Sequence, residues 1–239
     1  MTLLLLLLLS HLLADFFLQP NRWILCRQSN GWRSPALYQH AAVHGLVVLL
    51  LLAPLGLGLQ WPAIAAIIAT SHLLIDGIKS RYVDSLTTFI ADQVAHLLVI
   101  GLLWLSLASS HWQALLAQLG QQQQPLLLLS LLYLSCLTPA SVCISKLLSR
   151  WSHQSLNERP SLLAAGQTIG YLERLLIVSL ILADQFVGVG FLLAAKSIFR
   201  FGDLSKQHDR SLTEYVMLGS LASVSWALVT GIIGRSALS

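Results

Sequence analysis

The sequence predicts an all-α fold: a polytopic transmembrane helical bundle of about eight spans, with both termini on the outer side. Three observations lead there. Of 239 residues, 56% are apolar and 10% charged, with a mean hydropathy of +0.73; soluble domains carry about 25% charged residues. The apolar residues fall into runs near the ~17–25 residues that a membrane-crossing helix needs. Lys and Arg then alternate between connections. The formal charge of +4 is scattered over short loops, which fits membrane orientation and not nucleic acid. The three cysteines, Cys26, Cys136 and Cys143, have neither disulfide-framework nor zinc-finger spacing.

The expected spans cover 2–19, 38–59, 61–79, 87–109, 125–147, 165–182, 185–200 and 212–233. The first is read as a retained span. Only Met1 and Thr2 precede its apolar run, and Phe16 to Pro20 offer no small-residue cleavage site. Between spans six and seven only Ala183, Asp184 and Gln185 mark a break, so a kinked or re-entrant pair is an alternative there. The first loop carries Arg22, Arg27 and Arg33, the third connection Lys79 and Arg81, the fifth Lys146, Arg150 and Arg159, and the seventh Arg200, Lys206 and Arg210. The even-numbered connections carry none, so the odd ones are expected on the cytoplasmic side. Residues 1–109 form a four-span region rich in His and Asp, 110–124 a Gln-rich linker, and 125–239 a second four-span region.

Ionisable residues inside spans are costly and mark function by default. In the first four spans they come in pairs: His11 and Asp15, His40 and His44, His72 and Asp76, Asp92 and His96. Each pair is spaced i, i+4 and so lies on one helix face. Eight histidines and seven aspartates scattered at random through the chain give roughly one such pair. The alternating topology also brings all four pairs to one depth, in the cytoplasmic half. Antiparallel helices presenting paired ligands at one level are how a bundle builds a metal site. "HLLADFFLQ" at His11 aligns with "HLLIDGIKS" at His72, and "HAAVH" at His40 with "DQVAH" at Asp92. The first four spans thus read as two repeated hairpins related by a pseudo-twofold along the membrane normal, an arrangement that places sites at the repeat interface.

Imidazole with carboxylate suits zinc, manganese, iron or nickel, and the absence of thiolates disfavours copper(I). Eight ligands suffice for two ions, or for one ion whose ligands are steadied by the remaining residues. Asp15, Asp76 and Asp92 are the candidates for catalytic work, since a carboxylate outside the coordination set can act as general base. Gln19 and Lys79 share these faces, as contacts for an anionic substrate or simply as markers of the span edge, with Lys79 snorkelling to headgroups. In the C-terminal half, Glu173 is expected to form a structural ion pair with Lys196 or Arg200. Gly166 and Gly170 have a spacing that permits close helix approach. Trp23, Trp32 and Trp61 stand beside span ends as interfacial anchors do.

"HLLADFFLQ", "HLLIDGIK" and "DQVAHL", followed by "GYLERLL" and "AKSIFRF", resemble a bacterial membrane-protein family known as domain of unknown function 3307. The resemblance implies a bacterial inner-membrane location and a role for His11, Asp15, His72, Asp76, Asp92 and His96. A looser similarity, resting on residue types, is to membrane-bound metal-dependent hydrolases.

Three functions are compatible with these readings. One is hydrolysis of a lipid-linked phosphate or ester, assisted by one or two divalent ions and fed by the bilayer. The second is an ion- or proton-coupled transporter. The third is a membrane scaffold with a structural metal. The nearly nonpolar outer halves of the first four spans weigh against transport.

Overall fold

The computed structural model describes residues 1–55, 60–107, 123–151, 160–204 and 210–238, with side chains described except at 160–164, 199–204 and 210–212. Among the described residues there are helices and turns and no strands. The helices are α1 (Thr2–Phe16), α2 (Asn21–Asn30), α3 (Pro35–Leu52), α4 (Gln60–Lys79), α5 (Leu86–Leu107), α6 (Gln124–Ser135), α7 (Thr138–Leu148), α8 (Pro160–Leu182), α9 (Phe186–Leu204) and α10 (Arg210–Leu238).

Each of the eight expected segments overlaps helix among the described residues. Six stretches are long and apolar enough to cross a membrane: Pro35–Leu55, Gln60–Lys79, Leu86–Leu107, Gln124–Trp151, Ala165–Leu182 and Thr213–Leu238. The first expected span ends early, at Phe16, and the chain bends by 80° into Asn21–Arg33; counting that bent pair as one span gives seven. The apolar helix Phe186–Ile198 falls short of the required length. The chain is a multi-pass membrane protein. It divides into two compact units, Met1–Leu131 and Leu132–Ser239. Of the expected linker 110–124, only Gln123 and Gln124 are described, and Arg159 and Lys206 lie outside the described residues.

In the first unit α1, α3, α4 and α5 close a ring: α3 packs on α1 and α4, and α5 on α4 and α1. Local signals set each register. Pro35 opens α3 at the first helical position, where its fixed φ suits the helix and its missing N–H costs nothing. Ser85 and Thr88 cap α5 reciprocally: the Ser85 amide donates to Thr88 Oγ1 at 2.9 Å and the Thr88 amide to Ser85 Oγ at 3.2 Å. That cap fixes where Asp92 and His96 project. Gly31 ends α2 at φ 52°, a conformation glycine adopts without steric cost. One end of the ring is an apolar core containing Leu3, Leu6 and Leu7 of α1, Val48 and Leu52 of α3, Ile64 and Ile68 of α4, and Ile100 of α5. The start of α1 therefore meets the end of α3, and the start of α4 the end of α5, as antiparallel neighbours must.

The second unit is built on Cys136, Ile177, Val178, Ile181, Val189 and Ala227. The span expected at 125–147 is broken at Cys136–Leu137, between α6 and α7. Pro139 lacks the amide hydrogen that would bond to the Ser135 carbonyl, and the buried Arg174 braces the break. Its Nε donates to the Cys136 carbonyl at 2.5 Å and its guanidinium nitrogens to Ser223 Oγ at 2.9 Å and Ser141 Oγ at 2.8 Å. Asp184, at φ 61°, turns the chain between α8 and α9 at the expected break. Lys196 Nζ lies 2.6 Å from Glu173 Oε1; the Arg200 side chain lies outside the described residues. Gly166 has open space where a Cβ would stand, and the nearest such neighbour of Gly170 is Arg174 of its own helix. The close helix approach expected there occurs instead at Gly231, against Ile181.

Candidate metal centre

Because the ring helices are antiparallel and each carries its polar pair four residues apart, the side chains stack in layers one turn deep. Leu7, Val48, Ile68 and Ile100, one from each helix and at most 2% exposed, form an apolar floor. One turn on come His11, His44, His72 and His96. One further turn brings Asp15, His40, Asp76 and Asp92. All eight polar residues expected to meet are brought together in this way, seven of them buried and Asp15 nearly so.

The histidine layer is compact. The His72 ring is sandwiched between His44, at 3.4 Å and 24°, and His96, at 3.8 Å and 10°. His11 Nδ1 lies 3.3 Å from His72 Nε2. Asp15 Oδ1 accepts hydrogen bonds from His40 Nε2 at 3.1 Å and His44 Nε2 at 3.0 Å in the tautomers that protonate those atoms, and it lies 3.9 Å from His72 Nε2. His11, Asp15, His44 and His72 each offer a ligand atom, all within 4.8 Å of one another. A second group, Asp76, Asp92 and His96, meets the same condition. His96 Nε2 stands 3.8 Å from Asp76 Oδ1 and 3.5 Å from Asp92 Oδ1. Ligand atoms ~2.0–2.2 Å from a tetrahedral ion are about 3.3–3.6 Å from one another, so the donor sets match a metal in chemistry and could hold one after small inward shifts of the side chains. Buried polar atoms of these two groups that lack a hydrogen bond support the fit: His96 Nε2, Asp92 Oδ1, and Nδ1 of His44, His72 and His96. His40 belongs to neither group. Its Nε2 sits between them, 3.1 Å from Asp15 Oδ1 and 3.6 Å from Asp76 Oδ2.

Three residues around the centre escape a reading of the sequence for His and Asp alone. Gln93 donates through Nε2 to Asp15 Oδ2 at 2.9 Å, which fixes its amide so that Oε1 faces His11 Nε2 at 3.2 Å. An acceptor there holds the proton on His11 Nε2 and leaves the Nδ1 lone pair aimed inward, the arrangement by which surrounding residues orient a metal-binding histidine. Arg27, buried on α2, is ion-paired with Asp76 Oδ2. Trp32 follows α2, and its ring lies so close over Gly77 that a Cβ at that position would overlap it. Lys79 does not snorkel: its Nζ is 2.6 Å from Asp92 Oδ2 and its side chain is 20% exposed. The periodicity of Asp76, Asp92 and Lys79 is visible in the sequence. The reach of Arg27 is not, because α2 is a short polar helix whose docking is a tertiary event.

Charge is unevenly met. Asp76 and Asp92 each have a basic side chain on one oxygen. The described contacts of Asp15 are with histidines and Gln93, so no lysine or arginine offsets it there. A carboxylate in so dry a setting calls for a cation or a proton.

Among known proteins, neither the curated sequences nor the solved structures contain a match to the chain. Residues 3–121, which include the whole four-helix ring and all eight polar residues, match the family described as "Protein of unknown function (DUF3307)". Over that stretch the chain belongs to this family.

Proposed function

We propose that the ring is the metal centre of a membrane hydrolase that cleaves a lipid-linked phosphate or ester presented by the bilayer, with the centre toward the cytoplasmic face of a bacterial inner membrane. The observation that carries this reading is the convergence of two ligand groups on one side of an apolar floor. In a one-ion form, His11, Asp15, His44 and His72 hold the ion, and Asp76 and Asp92 remain as proton acceptors for the attacking water. In a two-ion form, Asp76, Asp92 and His96 are ligands as well. A divalent ion held there supplies Lewis acidity and eases deprotonation of water near neutral pH. His40 and Gln93 hold Asp15 and His11 in place. The floor of Leu7, Val48, Ile68 and Ile100 supports hydrolysis over transport, because this apolar layer interrupts the polar layers along the ring axis.

Metal content of the purified full-length protein, measured by elemental mass spectrometry, tests the first half: one or two zinc, manganese, iron or nickel ions per chain are expected. Incubation with vesicles containing a polyprenyl phosphate or phospholipid tests the second. Stoichiometric metal without turnover removes the hydrolase reading, and Asp92-dependent ion uptake into proteoliposomes replaces it with transport. A chain that holds no metal and is indifferent to His72→Ala removes the metal centre altogether.

A further inference from the structure

We infer that Arg27 and Lys79 form a clamp for a phosphoryl group, so that the substrate of the centre is a phosphate and not a neutral carboxyl ester. This rests on the metal-centre reading and narrows it.

The argument starts from the two oxygens of each carboxylate. Asp76 and Asp92 turn Oδ1 toward His96 Nε2, at 3.8 and 3.5 Å, where an ion would be shared. Both give Oδ2 to a basic side chain, Arg27 in one case and Lys79 in the other. The two cations therefore stand just behind the ligand oxygens, within reach of whatever binds next to the ion. Lys79 also stands on the accessible side. The histidine layer is backed by Leu7, Val48, Ile68 and Ile100, whereas Lys79 and Asp15 keep 20% and 11% of their side-chain surface. A reactant reaching the ion past this end of the ring meets Lys79 first, with the buried Arg27 behind Asp76.

Charge points the same way. With histidines neutral as ligands, three aspartates against one arginine and one lysine leave the centre one negative charge from neutrality. A single divalent ion changes that to one surplus positive charge, and two ions to three. In a site this dry a surplus is costly unless an anion joins it. A phosphodiester or phosphomonoester supplies that charge, and its oxygens match guanidinium and ammonium donors; arginine is suited to planar, two-pronged phosphate contacts and lysine to a point contact. A neutral ester meets neither need.

The test uses full-length protein in nanodiscs loaded with Co²⁺, whose visible absorption reports on its ligands. Titration is with inorganic phosphate and, separately, with the neutral ester triacetin. Phosphate is expected to change the cobalt spectrum saturably and triacetin to leave it unaltered. Lys79→Gln is expected to weaken phosphate binding about tenfold at unchanged cobalt stoichiometry, the scale of one lost charge-assisted contact, with Lys79→Arg restoring most of it. Arg27→Gln is expected to act likewise; should that variant fail to fold, Lys79→Gln decides alone. A loaded protein that ignores phosphate, binds it equally well as Lys79→Gln, or responds to triacetin instead overturns the clamp while leaving the metal centre standing. A protein that takes up no cobalt overturns both.

Discussion

Replacing Arg27 by methionine keeps most of the side-chain volume and removes the charge facing Asp76. The two side chains are 9% and 5% exposed, so solvent screens the pair weakly. Asp76 has no ready substitute: its other basic neighbours, His40 Nε2 at 3.6 Å and His96 Nε2 at 3.8 Å, are beyond hydrogen-bond range. Breaking a buried pair by removing one member costs about 3–5 kcal/mol, roughly a hundredfold or more in the folded population. The loss is expected in unfolding of the metal-free protein by denaturing detergent. Arg27→Met combined with Asp76→Asn is expected to recover most of it, because the orphaned charge is then gone; coupling of this kind is what a double-mutant cycle measures. Added Zn²⁺ should stabilise Arg27→Met more than the parent protein, since an ion restores a cation to Asp76 and tighter binding to the folded state adds stability by mass action. If Arg27→Met unfolds like the parent, or the two losses simply add, Arg27 does not compensate Asp76 and the charge argument for the centre is wrong.

Other consequences can be checked independently. His72→Ala removes the ring that stacks on both His44 and His96, and bound metal should fall below one equivalent per chain by elemental analysis. Ile100→Ala opens a cavity in the floor and should cost about 2–5 kcal/mol in detergent unfolding, with metal stoichiometry retained. Gly77→Leu places a side chain where the Trp32 ring lies; amide exchange in Asn21–Asn30 should rise while α8 and α10 are unaffected. Lys196→Met orphans the buried carboxylate of Glu173, so exchange protection around Glu173 should drop, and Glu173→Gln on the same background should restore much of it.

The features that could be read from the sequence are those carried by short-range periodicity. A pair spaced i, i+4 declares its shared face without any knowledge of the neighbouring helix, so His11 with Asp15 and Asp92 with His96 were legible at once. Runs of leucine declared helices in the same way. Features that depend on how elements dock were not legible. Arg27 sits in a polar stretch that reads as a loop, and only the 80° bend after α1 brings it over Asp76. Gln93 is adjacent to Asp92, yet besides Asp92 itself it reaches His11 and Asp15 on another helix. The break before α7 had a local signal in Pro139, overlooked because the apolar run continues through it; its compensation by Arg174, distant in sequence, had none. The first span was placed too far, to residue 19, because Phe17 and Leu18 extend the hydropathy past the last helical residue.

The floor formed by Leu7, Val48, Ile68 and Ile100 also acts as an electrical insulator. Membrane voltage drops mainly across material that contains neither water nor polar groups, and a unit charge carried through the full drop gains about 2.3 kcal/mol per 100 mV. On the proposed reading, an ion held at the histidines would lie ahead of that layer and would traverse little of the field. Occupancy of the proposed metal centre should therefore follow the free metal concentration in a single compartment and stay flat as the membrane is polarised. A chelator added to that compartment is expected to empty it, and the same chelator on the opposite side to have no effect.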